Sequence, residues 1–347
     1  MTTVNLAAVA AALQTEFEPD IISQINRSSP LLQLLPVKRF RGQNVTFDVR
    51  FGSAGAGSGA AIAEGADVST FNTDTKVPAV LQFVTMHEAF EVTGVALAAA
   101  MNSGQPQALV DLFGEEVTAA CQRLAHAIGS EMYNGTGAAN RMTGLIGGGA
   151  LATTGTYAGL ARGTYAQWAG NVLANGGVPR ALALALMRQS MREAYIDSGF
   201  RPDVIVCDPI QFDKYGALID PQRRFVDSVR TASGEIKLDG GYRALEFDGR
   251  MLVEDVNCPA GKMIFLSSQK VCVAELPQLG LDAARSAGER PLSVGADEKN
   301  DGRLMLSARV QPLAVLGDKY RFAIYVYVQM VVKQPNACCV LEDLVAT

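Results

Sequence analysis

Only two histidines, His87 and His126, occur in 347 residues, and the six cysteines never approach one another as CxxC or as a Cys/His cluster. That removes the usual zinc ligand sets and most of the acid–base chemistry that imidazole supplies. Long apolar runs are missing too. Hydrophobic residues make up 48% of the chain and mean hydropathy is +0.13, yet no stretch nears the roughly 18 residues of a membrane span. The hydropathy therefore belongs to a core or to interfaces. Positive charge is not in excess. A net charge of −5 gives no electrostatic reason for sequence-specific nucleic-acid binding, although it permits enclosing a nucleic acid without gripping it.

Nucleotide and nucleophile signatures fail in the same way. Gly261-Lys262 is followed by Met263 and lacks the upstream glycine of a P-loop, and there is no G-x-S-x-G elbow. The run Gly55-Ala-Gly57-Ser-Gly59-Ala60 has the form of a dinucleotide loop, but no helical stripe follows it. Without a helix N-terminus there is nothing to receive a pyrophosphate, so it reads as a flexible tip. His87, beside Glu88, and His126, on a polar helix face, read as structural groups. No catalytic, cofactor-binding or metal-ligating residue is expected. The cysteines read as reduced, buried thiols, with an inter-subunit disulfide left open only for the adjacent pair Cys338-Cys339. Residues 6–13 look like the apolar part of a signal peptide, but no Lys or Arg precedes them and Glu16, Glu18 and Asp20 follow. A cytoplasm-like compartment is expected.

What is present is long and periodic. Over 105–133, Leu109, Phe113, Val117, Ala120, Cys121, Leu124, Ile128 and Met132 recur in steps of three and four. This spacing predicts one helix of about 29 residues, roughly 43 Å long. Asp111, Glu115, Thr118, Gln122 and His126 fall on its other side, and Asn134-Gly135 supplies a left-handed stop.

Before this helix, residues 4–40 read as an arm too short for a core of its own, so it must pack on the main body or on a neighbouring chain. Val45, Phe47, Val49 and Phe51 alternate with polar residues as a strand, and a glycine-rich segment containing Gly55, Gly57 and Gly59 follows. A second strand-like run returns over 80–92. Together they predict a projecting hairpin, marginal alone, whose edges invite another subunit. Beyond the spine helix come a Gly/Ala/Thr-rich stretch, a helix over 178–198 with Pro179 in its first turn, a buried strand over 202–208 and a helix over 209–219. A β-rich section follows, with a hairpin turn at Asp248-Gly249 and further strands at 262–266 and 271–275. The span 277–301 is polar and turn-rich. The final hairpin, 303–316 and 320–333, ends in a strand dense enough in β-branched and aromatic residues to be central.

This order of parts resembles the major capsid protein of tailed bacteriophages, the Hong Kong 97 fold. The similarity covers nearly the whole chain and is strongest over 179–220, 247–271 and 325–344. The resemblance implies an α+β fold with an N-terminal arm (1–40), an extended β-hairpin E-loop (41–94), a P-domain with the spine helix (95–170), a mixed α/β A-domain (171–302) and returning P-domain strands (303–347). It implies self-assembly into pentamers and hexamers of an icosahedral virion shell around double-stranded DNA, built in the bacterial cytoplasm. Portal, separate scaffolding and decoration proteins are the implied partners, with no membrane and no cofactor. The E-loop residues Val45, Phe47, Val49, Phe51, Gly55, Gly57, Gly59 and Lys76 are expected at inter-subunit contacts. Relatives that crosslink join a Lys to an Asn with a Glu assisting. Lys76, Asn336 and Glu342 are the positions available here, with a solvated Lys and a turn Asn as the plainer reading. An encapsulin-type nanocompartment shares the fold, and a cytosolic α/β enzyme is the alternative of a different class.

Overall fold

A computed structural model of the protein describes residues 29–51, 64–65, 75–95, 98, 106–219, 229–231, 234–236, 244–276, 292–294, 306–313 and 318–346. Most of the expected arm and the glycine tip, with Gly55, Gly57 and Gly59, lie outside these residues. The described chain starts with helix α1 (Pro30–Leu34) and strand β1 (Val37–Arg39). Strands β2 (Asn44–Phe51), β3 (Thr75–Gln82) and β4 (Val84–Thr93) precede the long helix α2 (Pro106–Asn134). Then come β5 (Thr156–Tyr157), β6 (Leu160–Ala161), a 3-10 turn at Ala166–Trp168, β7 (Asn171–Leu173), α3 (Leu184–Ser198), β8 (Val204–Cys207) and α4 (Pro209–Ile219). The described residues beyond α4 add the strands β9 (Val229–Thr231), β10 (Gly234–Ile236), β11 (Ala244–Phe247), β12 (Arg250–Glu254), β13 (Met263–Leu266), β14 (Val271–Glu275), β15 (Leu292–Val294), β16 (Leu306–Pro312), β17 (Lys319–Val332) and β18 (Cys339–Leu341), with a 3-10 turn at Pro335–Ala337.

Among the described residues, two six-stranded sheets carry the fold. In the first, β17 is central, as its composition demands. β4 runs antiparallel along it from Lys319↔Thr93 to Val328↔Val84. β16 pairs with Arg321's neighbours Phe322 to Tyr325, and β14 with Val328 to Val332. Residues 322–325 pair with β4 and β16 at once, so these flank opposite edges. Helix α2 lies against β4 and β17. Its Ala120, Leu124, Ile128 and Met132 are fully buried in one cluster with Phe90, Ile324, Val326 and Val328.

The second sheet runs β11-β12-β8-β13-β18-β7 and is mixed, with β8 parallel to β12 and antiparallel to β13. Both its faces are covered, which explains why Val204, Ile205, Val206 and Cys207 are apolar without alternation. Val204 and Val206 join the large core, whereas Ile205 and Cys207 face a second cluster with Met187, Met191 and Ala194 of α3 and Phe212 and Tyr215 of α4. Asp248 (φ 48°) and Gly249 (φ 73°) make the left-handed turn between β11 and β12.

Three expectations change. The helix expected from 178 begins only at Leu184. Residues 178–183 instead run beside the C-terminal segment, where Arg180 N–H donates to Asp343 O at 2.8 Å and Val345 N–H to Arg180 O at 3.0 Å. Its end is as expected, with Gly199 left-handed at φ 74°. The 80–92 run is two strands, broken at Phe83, one in the hairpin and one in the central sheet. Cys338 and Cys339 are fully buried, and burial pushes both thiols up to about 12, so they cannot bridge neighbouring subunits at the surface. Cys121, half-buried, is pushed up to about 11. Native protein at neutral pH should show no fast-reacting thiol toward an aromatic disulfide reagent, and unfolding in guanidinium should release all six. A fast equivalent in the native state would contradict this burial.

Candidate assembly surface

The hairpin is a two-stranded sheet in register from Asn44↔Gln82 to Phe51↔Thr75. Because cross-strand partners share a face, Val45, Phe47, Val49 and Phe51 stand with Leu81, Ala79 and Val77. That face meets an aromatic platform in its own chain. Phe51 stacks on Tyr165 with centroids 4.4 Å apart and meets Trp168 edge-on at 6.2 Å, and Phe47 lies 6.3 Å from Trp168. Val45 and Ala79 are fully buried. Val80 N–H donates to Ala158 O at 2.9 Å, so β3 is tied on its outer edge as well.

The platform is itself fixed by polar bonds. Trp168 Nε1–H donates to Tyr157 O at 3.0 Å, and Tyr157 Oη accepts the Val332 N–H at 2.8 Å, linking it to the end of β17. Arg162 is buried beneath, its Nη1 and Nη2 donating to the carbonyls of Thr154, Gly149 and Ala150 at 2.8–2.9 Å. The apolar face expected at another subunit is therefore used within the chain at the hairpin's foot. What faces outward is the other face, with Thr46, Asp48, Arg50, Lys76, Pro78 and Val80 all exposed, together with the outer edge of β2. Among the described residues β2 pairs only with β3.

Between hairpin and body lies a cleft of about 540 Å³ lined by Phe47, Arg50, Phe51, Trp168, Lys333 and Asn336, among others. The possible crosslinking positions are not united there. Lys76 is exposed opposite Arg50. Asn336 sits in the 3-10 turn Pro335–Ala337, its Nδ2 donating to Asp197 O at 3.1 Å. Glu342 accepts from Lys262 Nζ at 2.6 Å, which occupies the carboxylate. No hydrogen bond or ion pair joins the three among the described residues. His87 and Glu88 face opposite sides of β4, as strand neighbours must. His87 stacks on Tyr325 at 6.0 Å and Glu88 pairs with Arg123 at 2.7 Å. No cluster of His, Cys, Asp and Glu able to hold a metal occurs among the described residues.

Residues 29–31 meet the body at a second buried face of α2, which the amphipathic pattern did not reveal. Tyr133 Oη–H donates to Asp255 Oδ2 at 2.7 Å, and the same carboxylate accepts the N–H groups of Leu31 (3.4 Å) and Asn257 (2.9 Å). Burial pushes the Asp255 carboxyl up against these donors. One turn earlier, a Cβ on Gly129 would collide with the Ser29 side chain. Glycine inside a helix costs about 1 kcal/mol relative to alanine, so a mid-helix glycine was the available signal. His126, read as a structural group on the polar face, is half-buried, and its Nδ1 is buried without a hydrogen-bond partner among the described residues. Tyr133→Phe removes one donor from a buried carboxylate and should lower subunit stability by about 1–3 kcal/mol. A guanidinium melt with an unchanged midpoint would show that the bond contributes nothing.

Comparison with known proteins agrees with this geometry. The family model described as SU10 major capsid protein matches residues 2–345. Among solved structures, the capsid asymmetric unit of cyanophage A-1(L) is similar at TM-score 0.73 and 19% identity, covering 98% of this chain and 99% of that one. The capsid of a native GTA particle matches at TM-score 0.61 and 15% identity, covering 99% and 100%. The holo-SrpI encapsulin complex of Synechococcus elongatus PCC 7942 matches at TM-score 0.55 and 13% identity, covering 100% and 98%. These TM-scores over nearly the full length of each chain establish the shared Hong Kong 97-type fold. Among curated proteins no sequence matches the chain.

Proposed function

The chain belongs to the SU10 major capsid protein family, and on that premise we propose how this major capsid protein of a tailed phage builds its shell. It self-assembles into the virion capsid. Pentamers and hexamers close an icosahedron around double-stranded DNA in the bacterial cytoplasm, with portal, scaffolding and decoration proteins as partners. Residues 1–40 act as arm, 41–94 as E-loop, 95–170 and 303–347 as P-domain, and 171–302 as A-domain. The work is mechanical and includes no catalytic step.

The observation that supports this division is the hairpin itself. Its foot is locked to Trp168 and Tyr165 of its own chain, while among the described residues the outer edge of β2 pairs with no further strand. An open strand edge is completed by another strand, and repetition of one heterologous contact closes a shell. Apolar area buried at about 25 cal/mol per Å² over many shared interfaces supplies the closing energy. In this reading Val45, Phe47, Val49 and Phe51 set the hairpin's angle, and the tip with Gly55, Gly57 and Gly59 reaches the neighbour.

Phe51 and Thr75 are cross-strand partners, so residues 52–74 can be replaced by a two-residue Asn-Gly turn without disturbing either strand. This variant should remain a soluble, folded subunit that forms no closed shells by electron microscopy. Normal particles would refute the role of the tip. Because Glu342 is held by Lys262, boiled particles should run as a monomer-sized band on denaturing gels, and a ladder of covalent multimers would overturn that expectation. Particles of small diameter without DNA would favour the nanocompartment reading.

A further inference from the structure

The phase of the hairpin's hydrogen bonds decides which backbone groups β2 turns outward. In a strand the N–H and C=O of one residue point to the same side, and successive residues alternate. Val80 N–H donates to Ala158 O on the outer edge of β3, so the even-numbered residues of β3 point away from β2. Pro78, which has no N–H to give, sits at one of these outward positions, as a proline in a paired strand must. The odd-numbered residues Val77, Ala79 and Leu81 therefore bond to their partners Val49, Phe47 and Val45. That directs the N–H and C=O groups of Thr46, Asp48 and Arg50 at the outer edge of β2, which among the described residues pairs with no further strand. The hairpin cleft is lined by the consecutive residues Phe47, Asp48, Val49, Arg50 and Phe51, hence by both faces of the strand. Open space runs along this edge.

The same outward-pointing residues carry the charges of the polar face. Asp48 and Arg50 flank Val49, and β3 gives neither a cross-strand counter-charge: Asp48 stands opposite Pro78 and Arg50 opposite Lys76. A second β2 strand running antiparallel supplies both. Hydrogen-bond phase and the burial of one face each require even residues to meet even ones, which leaves few registers. Opposing Asp48 to Asp48, or Arg50 to Arg50, puts like charges together and is destabilising. Centring the pair on Phe47 overlaps more residues but matches Thr46 with Asp48 and Asn44 with Arg50, with no opposite charges. Centring it on Val49 sets Asp48 against Arg50 twice and Phe47 against Phe51 twice. In that register both charged pairs are also hydrogen-bonded pairs, each exchanging both N–H···O bonds.

We infer that β2 pairs antiparallel with β2 of a second copy of this chain across a two-fold axis at Val49, joining two hairpins into one sheet. The inference rests on the capsid function proposed above, and gives the shell an isologous contact alongside its heterologous ones. A two-fold normal to the sheet keeps both apolar faces on the same side. Phe47 and Phe51 of each copy then stay on their own Trp168 and Tyr165, and neither hairpin has to leave its platform to pair.

The test is disulfide trapping in assembled particles of the full-length chain, with the unsubstituted chain as control for its own six cysteines. Val49→Cys places two thiols at a non-hydrogen-bonded pair, where Cα atoms stand about 4.5 Å apart, within disulfide reach. Mild oxidation should give a dimer-sized band on a non-reducing gel that a reducing agent abolishes. Thr46→Cys, whose two copies stand about 20 Å apart along the strands in this register, should stay monomer-sized. Charge reversal tests the pairing without a new thiol. Asp48→Arg alone and Arg50→Asp alone each oppose like charges twice and should lower the yield of closed shells on the order of tenfold. Asp48→Arg combined with Arg50→Asp restores the opposite pairs and should restore the yield. Thermal melts of the unassembled subunits check folding. A Thr46→Cys dimer overturns the inference, since it reports another register. So does a folded double variant no better than the single ones, which would mean that a different strand fills the edge. Closed, DNA-filled particles without the Val49→Cys dimer defeat the pairing alone. A chain that forms no closed particles, or only DNA-free ones, defeats the function and the pairing with it.

Discussion

Everything outside the core hangs on the pairing of β17 with β4. The chain arrives at β4 directly from the hairpin, with only Phe83 between. β17 lies near the other end of the sequence, so hydrogen bonds between residues more than 200 positions apart hold the hairpin's return strand in the central sheet. Gln329 reinforces the junction. Fully buried, it accepts from Thr143 N–H at 3.1 Å and donates to Gln82 O at 2.9 Å, joining β17, the last hairpin residue and the loop after α2. A buried amide satisfied on both ends specifies a register that apolar contacts alone would allow to slip.

From this junction the molecule divides its attachments. Apolar burial orients the large elements: α2 on the first sheet, α3 and α4 on the second. Short polar links position the pieces that reach outward. Arg162 organises the glycine-rich stretch that carries the aromatic platform, Asp255 receives the arm, and Asp343 caps the loop before α3 through the N–H groups of Asn175 (2.7 Å) and Gly177 (2.9 Å). The pattern suits a subunit whose core must be rigid while its projections are aimed.

Much of this was legible in sequence because it is periodic or local. The stripe of α2, the turn at Asp248-Gly249 and the density of β-branched residues in β17 each depend on neighbours in the chain. What escaped depends on residues far apart. Phe47 and Phe51 satisfy the requirement of an apolar face equally well on a partner subunit or on Trp168, and alternation cannot tell which. The second buried face of α2 is made by ordinary residues, Tyr133 and Gly129, whose partners Asp255 and Ser29 lie elsewhere in the chain. The start of α3 was misplaced because Pro179 suits a first turn, but residues 178–183 find their hydrogen bonds with the C-terminal segment instead. At the assembly surface, alternation identified the strand and its apolar side, and the fold supplies Trp168 and Tyr165 of the same chain against that side at the hairpin's foot.

The two attachments differ in what a proton does to them. Arg162 is held by carbonyl oxygens, which do not titrate, so the grip on the hairpin's foot is the same in mildly acid and neutral surroundings. Asp255 has its carboxyl raised by burial. A group whose folded pKa lies above its unfolded value contributes stability that is present at low pH and is lost as pH rises through the folded pKa. Acidification therefore relieves a buried charge at the arm's clamp and tightens it, while the hairpin does not respond. One subunit thus carries two tethers, and of the two it is the clamp at Asp255 that senses acidity.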